Sequence, residues 1–410
     1  MKGTFMKRNL TPFMILLLVQ LLLWKGISII SPTANKNSDT QAPATLANSE
    51  ILQTTLKGHA LAVSSAAITA DNNTVISGSL DNTIKIWNLQ TGQLKRTLTG
   101  HTGVVDYLSV TPDGKYIVSA ESKNVRIWNL LTGALIRELG NSGEISFVET
   151  SQDGQTLVID GGTQIVKSKP ASPYSFEPDI TKYLISVYNL KTGTLKNQLV
   201  HDNKLTKIEM SKSGNILVSG DKIGKLNIWN LRNGTLQKTL TGHASEIKSI
   251  AISPDEKTIT STEKNGQIKI WDLISGKLKS TFTGHNIQFY RSVGVLIPDN
   301  NTLLSWNAST NRDVKMWNLQ TGDLKSTFPK NRNSDLDSNL DFIKISSDSK
   351  KLITKAKDNL QTWELATGEL KNSIEIQRDI LAFSPDDKIL ITRAEDQTTM
   401  KIWRIPFNNK

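Results

Sequence analysis

Residues 81–103 read DNTIKIWNLQTGQLKRTLTGHTG, and the order of features in that stretch decides the architecture. TIKIW is rich in β-branched residues and too short for a helix, so it predicts a strand. Five residues after Trp87 comes Gly92, preceded by Thr91 and followed two residues later by Leu94. A glycine at that offset supplies the positive φ of a tight strand-to-strand reversal. The returning strand LKRTL then runs into Gly100-His101. Each feature recurs along the chain. Aligned on the aromatic position, Trp87, Trp128, Tyr188, Trp229, Trp271, Trp317, Trp363 and Trp403 head eight units, most of them 40 to 46 residues apart. The exception is the 60-residue interval between Trp128 and Tyr188. Turn signals such as TPDGK, SPDEK and SPDDK separate further short apolar runs, which gives about four strands per unit.

A lone four-stranded unit cannot bury both faces of its inner strands. Repetition at this period solves the problem by stacking sheets around an axis. Gly58-His59, Gly100-His101, Gly242-His243 and Gly284-His285, each followed by Trp-Asn or Trp-Asp, make the chain resemble the WD-repeat β-propeller family, in a bacterial-type member. The resemblance covers residues 51–407 and implies an all-β, eight-bladed propeller. In that family the strand after the Trp is the outer strand of the same blade. The unit ending at Trp403-Arg404-Ile405-Pro406 has no such strand. ILQTTLKGH (51–59) matches QLKRTLTGH (93–101) but has no Trp-bearing strand before it. Strand 51–57 is therefore expected to complete the last blade and close the ring, removing two open sheet edges.

The N-terminal fifty residues differ. MKGTFMKRNLTPFMILLLVQLLLWKGISII has a basic start and an apolar run from Phe13 to Trp24, expected to form a short helix. Its length suits a signal peptide; as a signal anchor it would need Lys25 to snorkel toward the headgroups. Residues 1–30 are thus expected to export the rest of the chain, secreted or periplasmic if cleaved and membrane-tethered if retained. A buried core helix is the third alternative. Residues 31–50 are small and polar with two prolines and read as a flexible linker.

The chain has 410 residues, 37% of them apolar, which is enough for a packed core. It has no cysteine, which excludes disulfides and thiolate chemistry. Of the net charge of +11, residues 1–50 contribute five of the 49 bases and two of the 38 acids. Lys95, Lys196, Lys279, Lys325 and Lys371 repeat after the TG-x-Leu turn, spread around the circumference rather than gathered in a stripe. That spacing argues against a nucleic-acid track and for edge protection of the outer strands.

All five histidines, His59, His101, His201, His243 and His285, fall at the repeat's Gly-His position. The family resemblance implies a buried hydrogen-bond tetrad, here His59, Ser77, Asp81 and Trp87. Unit two keeps His101, Ser119 and Trp128 but has no Asp. Units five and six offer Asn265 and Asn311 instead. Unit three has Ile159 and Tyr188 in place of Ser and Trp, and units seven and eight lack the His. One complete tetrad is therefore expected, with rigidity resting on apolar stacking and closure. No phosphate loop, HExxH, GxSxG or EF-hand loop is present, and no metal-ligand cluster; Gly220-Asp-Lys-Ile-Gly224-Lys225 is one residue short of a phosphate loop.

Two candidate partner-binding surfaces remain. The insertion 160–183 in unit three carries Tyr174, Phe176 and Tyr183; the resemblance places it on the top face, as a docking element or as a merely tolerated solvated loop. At the start of each first strand, near the axial channel, the side chain varies on a constant frame: Ser64, Asp106, Thr206, Lys248. The expected function is a non-catalytic, monomeric scaffold for protein or peptide partners, with no cofactor, no metal and no nucleic acid. The alternative is an extracytoplasmic propeller enzyme or small-ligand binder using the central channel.

Overall fold

The computed structural model of the chain describes residues 45–46, 52–166, 179–283, 293–307, 314–328, 340–356, 358–376 and 378–405. The expected apolar helix within 1–30, together with Tyr174, Phe176, His285 and Asn311, lies outside the described residues. Among the described residues no helix is long and apolar enough to cross a membrane.

Eight sheets, each built on four antiparallel strands, form the blades of one propeller. Blade one shows the pattern: Val63–Ile68, Thr74–Ser79, Ile84–Asn88 and Leu94–Leu98, from channel to rim. The quoted stretch is thus the third strand, its turn and the fourth strand. Gly92 stands at φ +70, in the left-handed region that its reversal requires. The eighth blade holds Ile380–Phe383, Ile389–Arg393 and Met400–Arg404, and its outer strand is Leu52–Leu56 from the other end of the chain. Leu52 lies opposite Trp403, Thr54 opposite Ile402, and Leu56 opposite Met400. The ring closes as the repeat pattern requires. Thr45–Leu46 pairs in parallel with Ser373 and Ile374 on the outer strand of blade seven, so the entering chain crosses from blade seven to blade eight.

The apolar core is divided by seam rather than by blade. Trp87 of blade one packs with Leu56, Met400 and Ile402 of blade eight. Trp128 packs with Ile76, Ile84 and Ile86 of blade one, and Trp229 with Ile185 and Val187 of blade three. Each repeated Trp therefore faces the preceding blade, which is why a unit cannot fold alone. Around 25 cal/mol per Å² of buried apolar surface acts across every seam, so a blade contributes to stability only with both neighbours present. The Gly of Gly-His has a steric reason: a Cβ on Gly58, Gly100 or Gly242 would press within 3.1–3.4 Å of the Trp ring edge.

The seams also carry polar latches on the bottom face. The turn between the first two strands places a residue at positive φ, among them Glu256 (φ 55) and Asp387 (φ 61). Glu256 accepts the Ser213 N–H at 2.6 Å and the Ser213 hydroxyl at 2.9 Å, joining blade five to blade four. Asp387 does the same between blades eight and seven, taking the Ser347 N–H and the Lys344 ammonium.

Candidate functional site

The histidines are tied into the blades. Trp87 Nε1–H donates to Ser77 Oγ at 2.9 Å, Ser77 meets His59 Nε2 at 2.8 Å, and His59 Nδ1 meets Asp81 at 2.9 Å. With Asp81 accepting the Nδ1–H hydrogen bond, Nε2 is left to accept from Ser77. Burial opposes the Asp81 charge, but bonds from Thr83, Ala60 and His59 hold that carboxyl at about 2. His101 and His243 make the same Trp-Ser-His chain with Ser119 and Ser261, at 2.7–2.8 Å. His201 does so with Ser219 and Trp229. Burial lowers His101, His201 and His243 to about 4, so they are neutral at pH 7.

Among the described residues the His-to-carboxylate bond of the tetrad is made in blade one alone, but a glutamate stands near the histidine in two further blades. In blade two, Glu121 stands near the place of Asp81, accepting the Thr102 and Gly103 N–H groups and pairing with buried Arg126, but His101 Nδ1 accepts from Arg126 at 2.7 Å and lies 3.4 Å from Glu121. In blade five, Glu263 rather than Asn265 accepts the loop N–H groups, Ala244 at 2.7 Å and Ser245 at 2.8 Å, but it stands 3.8 Å from His243 Nδ1, which has no hydrogen-bond partner. Asn265 instead closes its own turn by accepting the Gln267 N–H. Both glutamates sit two residues beyond the strand serine, a signal visible in SAE (119–121) and STE (261–263). In blades seven and eight, where the His is lost and Thr replaces the Ser, the indole still bonds a strand hydroxyl, Trp363 to Thr354 and Trp403 to Thr392, at 2.8–2.9 Å; in blade six Trp317 bonds Ser305 at 2.7 Å.

The innermost strands line the axial channel. A cavity of about 470 Å³ opens there against blades one, two, seven and eight, with Ser64, Asp106, Tyr107, Phe342, Lys344 and Phe383 on its wall. The four variable positions diverge in role. The Ser64 hydroxyl donates to Val105 O at 2.6 Å, and the Thr206 hydroxyl to Ile247 O at 2.8 Å, each bonding the next blade. Lys248 pairs with Glu246 at 2.8 Å. Asp106 faces the cavity, and burial pushes its carboxyl up to about 7. Further round the wall, sequence reading missed Glu149 and Glu209. Burial raises both; Glu149 adds to the shift of Glu209, which reaches about 8, while Lys207 opposes it. Burial also pushes the Tyr107 phenol up to about 12. A carboxyl near 7 exchanges a proton near neutral pH, yet no nucleophile and base stand paired beside it among the described residues. Nor do three or more His, Asp or Glu gather there in a geometry that could hold a metal ion.

The insertion is a hairpin at its base, not a loop. Strands Thr156–Val166 and Ile180–Asn189 continue past the blade, pairing Gly162 with Leu184 through to Val166 with Ile180. Tyr183 is half-buried in that ladder, opposite Thr163 and His201. Ile165 (65% exposed), Val166 and Ile180 project into solvent.

Fold and repeat chemistry agree with the comparisons to known proteins. Residues 54–183 match the NWD2 C-terminal beta-propeller family, and residues 234–272 match the WD domain, G-beta repeat. This chain is a WD-repeat β-propeller of eight blades. It is 27% identical over 183 residues to SIR4-interacting protein SIF2 of Saccharomyces cerevisiae, across 44% of this chain and 33% of that protein. It is 26% identical to small ribosomal subunit protein RACK1 of Caenorhabditis elegans, across 46% of this chain and 70% of that protein. The chain thus spans about a third of the length of the yeast relative. Its fold is similar to that of the computationally designed Ika8 protein: TM-score 0.65 and 26% identity, covering 87% of this chain and all of that one.

Proposed function

We propose that this propeller is a non-catalytic scaffold that presents its top face to partner proteins or peptides. The observation that carries the reading is the engagement of the histidine chemistry. Every described histidine bonds a strand serine and is buried and held neutral, which leaves the top-face loops and the blade-three hairpin as the variable, exposed surface. The similarity to a protein named for interacting with SIR4, and to one named as part of a ribosomal subunit, supports the same reading. The basic N-terminus and the apolar run Phe13 to Trp24 support a site of action on the extracytoplasmic side, secreted, periplasmic or tethered. Cross-linking and pull-down with the full-length chain, beside a variant lacking residues 163–180, test the partner claim: partners cross-linked to top-face loops are expected. Cross-links confined to the rim or the bottom face would defeat it. Fractionation tests the location, and recovery in the cytosol would remove that part.

One observation favours a second reading, a small ligand held in the channel. Asp106 and Tyr107 share a cavity with two phenylalanines, an apolar wall with few polar groups. It predicts a rise in melting temperature with that ligand, abolished by Asp106→Ala.

A further inference from the structure

We infer that the top face of blade four, built from Lys204, Lys222, Ile223 and Lys225, is the docking strip for an acidic peptide segment with a large apolar side chain. This rests on the scaffold reading and specifies the partner. Two loops make the strip. Lys222 N–H donates to Lys204 O at 3.0 Å, which sets the loop before the innermost strand beside the Asp221–Lys225 turn. Gly224 lies so close to His243 O and Ser245 O that a Cβ would stand 2.8 Å from each, so the turn abuts the top of blade five. Lys204, Lys222, Ile223 and Lys225 are all exposed, Ile223 at 52%.

The charge of the strip is unbalanced because the neighbouring carboxylates are already engaged. Buried Asp221 accepts the Ile223 and Lys225 N–H groups at 3.0 and 2.8 Å and the Asn203 amide at 3.0 Å. This is also why the near-match to a phosphate loop is not one: its Ile223 and Lys225 N–H groups are taken by Asp221 and its Lys222 N–H by Lys204 O. Asp202 pairs with Lys182 at 2.6 Å, Glu246 with Lys248 at 2.8 Å, and Glu263 holds Ala244 and Ser245 N–H. On the rim, Lys279 pairs with Asp272 at 3.1 Å and Lys371 with Glu369 at 2.9 Å, while Lys95 and Lys325 donate to Thr74 and to Asn301 O and lie apart around the circumference. Lys204, Lys222 and Lys225 make no ion pair among the described residues. Three unmatched ammonium groups around one uncovered isoleucine complement a carboxylate-bearing segment with an apolar anchor.

The test is selection of random twelve-residue peptides on the immobilised full-length chain, followed by anisotropy titration of those recovered. Enrichment in Asp and Glu with at least one large apolar residue is expected. Affinity should fall about tenfold or more in K204E/K222E/K225E and about threefold or more in Ile223→Ser, and weaken with salt. The rim control K95E/K371E should stay within about twofold, because it leaves the strip's charge unchanged. If the triple reversal does not melt like the parent protein, K204Q/K222Q/K225Q replaces it, with a loss of about fivefold expected. Neutral or basic peptides, no recovered peptide, or unchanged affinity in the lysine variants would overturn the inference. So would equal lysine-dependent binding of single-stranded DNA or phosphatidylserine vesicles with no dependence on Ile223. Partners cross-linked only to the tops of blades one, seven or eight would leave the scaffold standing and remove this strip alone.

Discussion

Ser77 serves two buried groups at once, the Trp87 indole and the His59 ring. Ser77→Ala leaves both without a partner, and a loss of about 2 kcal/mol in urea unfolding is expected. Glu263 and Asn265 form a sharper pair. Glu263→Ala strips the acceptor from two loop N–H groups and should cost about 2 kcal/mol, while Asn265→Ala should cost less than about 0.5 kcal/mol. Equal costs would return the structural role to Asn265. Titration follows from the same burial. His101, His201 and His243 sit near 4 against an ordinary 6.5, so as pH falls from about 6.5 to 4 the unfolded chain takes up protons first and stability drops. Asp106, Asp160 and Glu209, raised to about 7, 7 and 8, act oppositely and remove stability as pH rises from about 4 toward 8. His59 and Glu149 shift in the same respective directions. The two sets largely cancel below about 6.5, and only the carboxyls act above it. The melting temperature should therefore be flat from about pH 5 to 6.5 and decline to pH 8, with Glu209→Gln flattening that decline; a rise between pH 7 and 8 would contradict the assignment.

Among elements, the bottom-face turns and the blade-three hairpin carry what the repeat does not announce. Asp387 belongs to SPDDK, which reads only as a turn; its bond to Ser347 depends on how closely blade seven approaches. Asp387→Ala should lose about 1–3 kcal/mol and leave the Lys344 ammonium without its carboxylate partner, measurable by urea unfolding. Blade count and strand order were legible because the Trp-to-Gly offset is a covalent distance, fixed along one strand and its reversal. Glu121 and Glu263 escape a sequence reading because the carboxylate is expected in the turn, where Asp81 lies, whereas the longer glutamate side chain reaches the equivalent loop N–H groups from the strand end. Glu149 and Glu209 were missed for another reason. In sequence they are ordinary strand residues, VET and KIEM, and only curvature brings the two strands together on the channel wall. The insertion reads as irregular because its prolines and aromatics dominate, although GTQIV and ITKYL at its ends are strand-like and pair.

For the whole molecule, the seams make stability collective, and the join between Leu52–Leu56 and Met400–Arg404 holds the last seam shut. Because the chain has no cysteine of its own, the join can be tested directly. Thr55 lies opposite Lys401, so Thr55→Cys with Lys401→Cys should cross-link on mild oxidation of the folded protein and raise its melting temperature. Failure of that pair to form, in a protein that otherwise melts cooperatively, would argue against the closure. The join also sets a schedule. The strand that completes the eighth blade precedes the other seven blades in the chain, whereas its partner Met400–Arg404 follows them all. Until the eighth blade has been made, Leu52–Leu56 must wait unpaired, with the Leu56 side chain uncovered. Whatever shields that early strand from foreign sheet edges in the interval governs how much of the protein reaches its finished state.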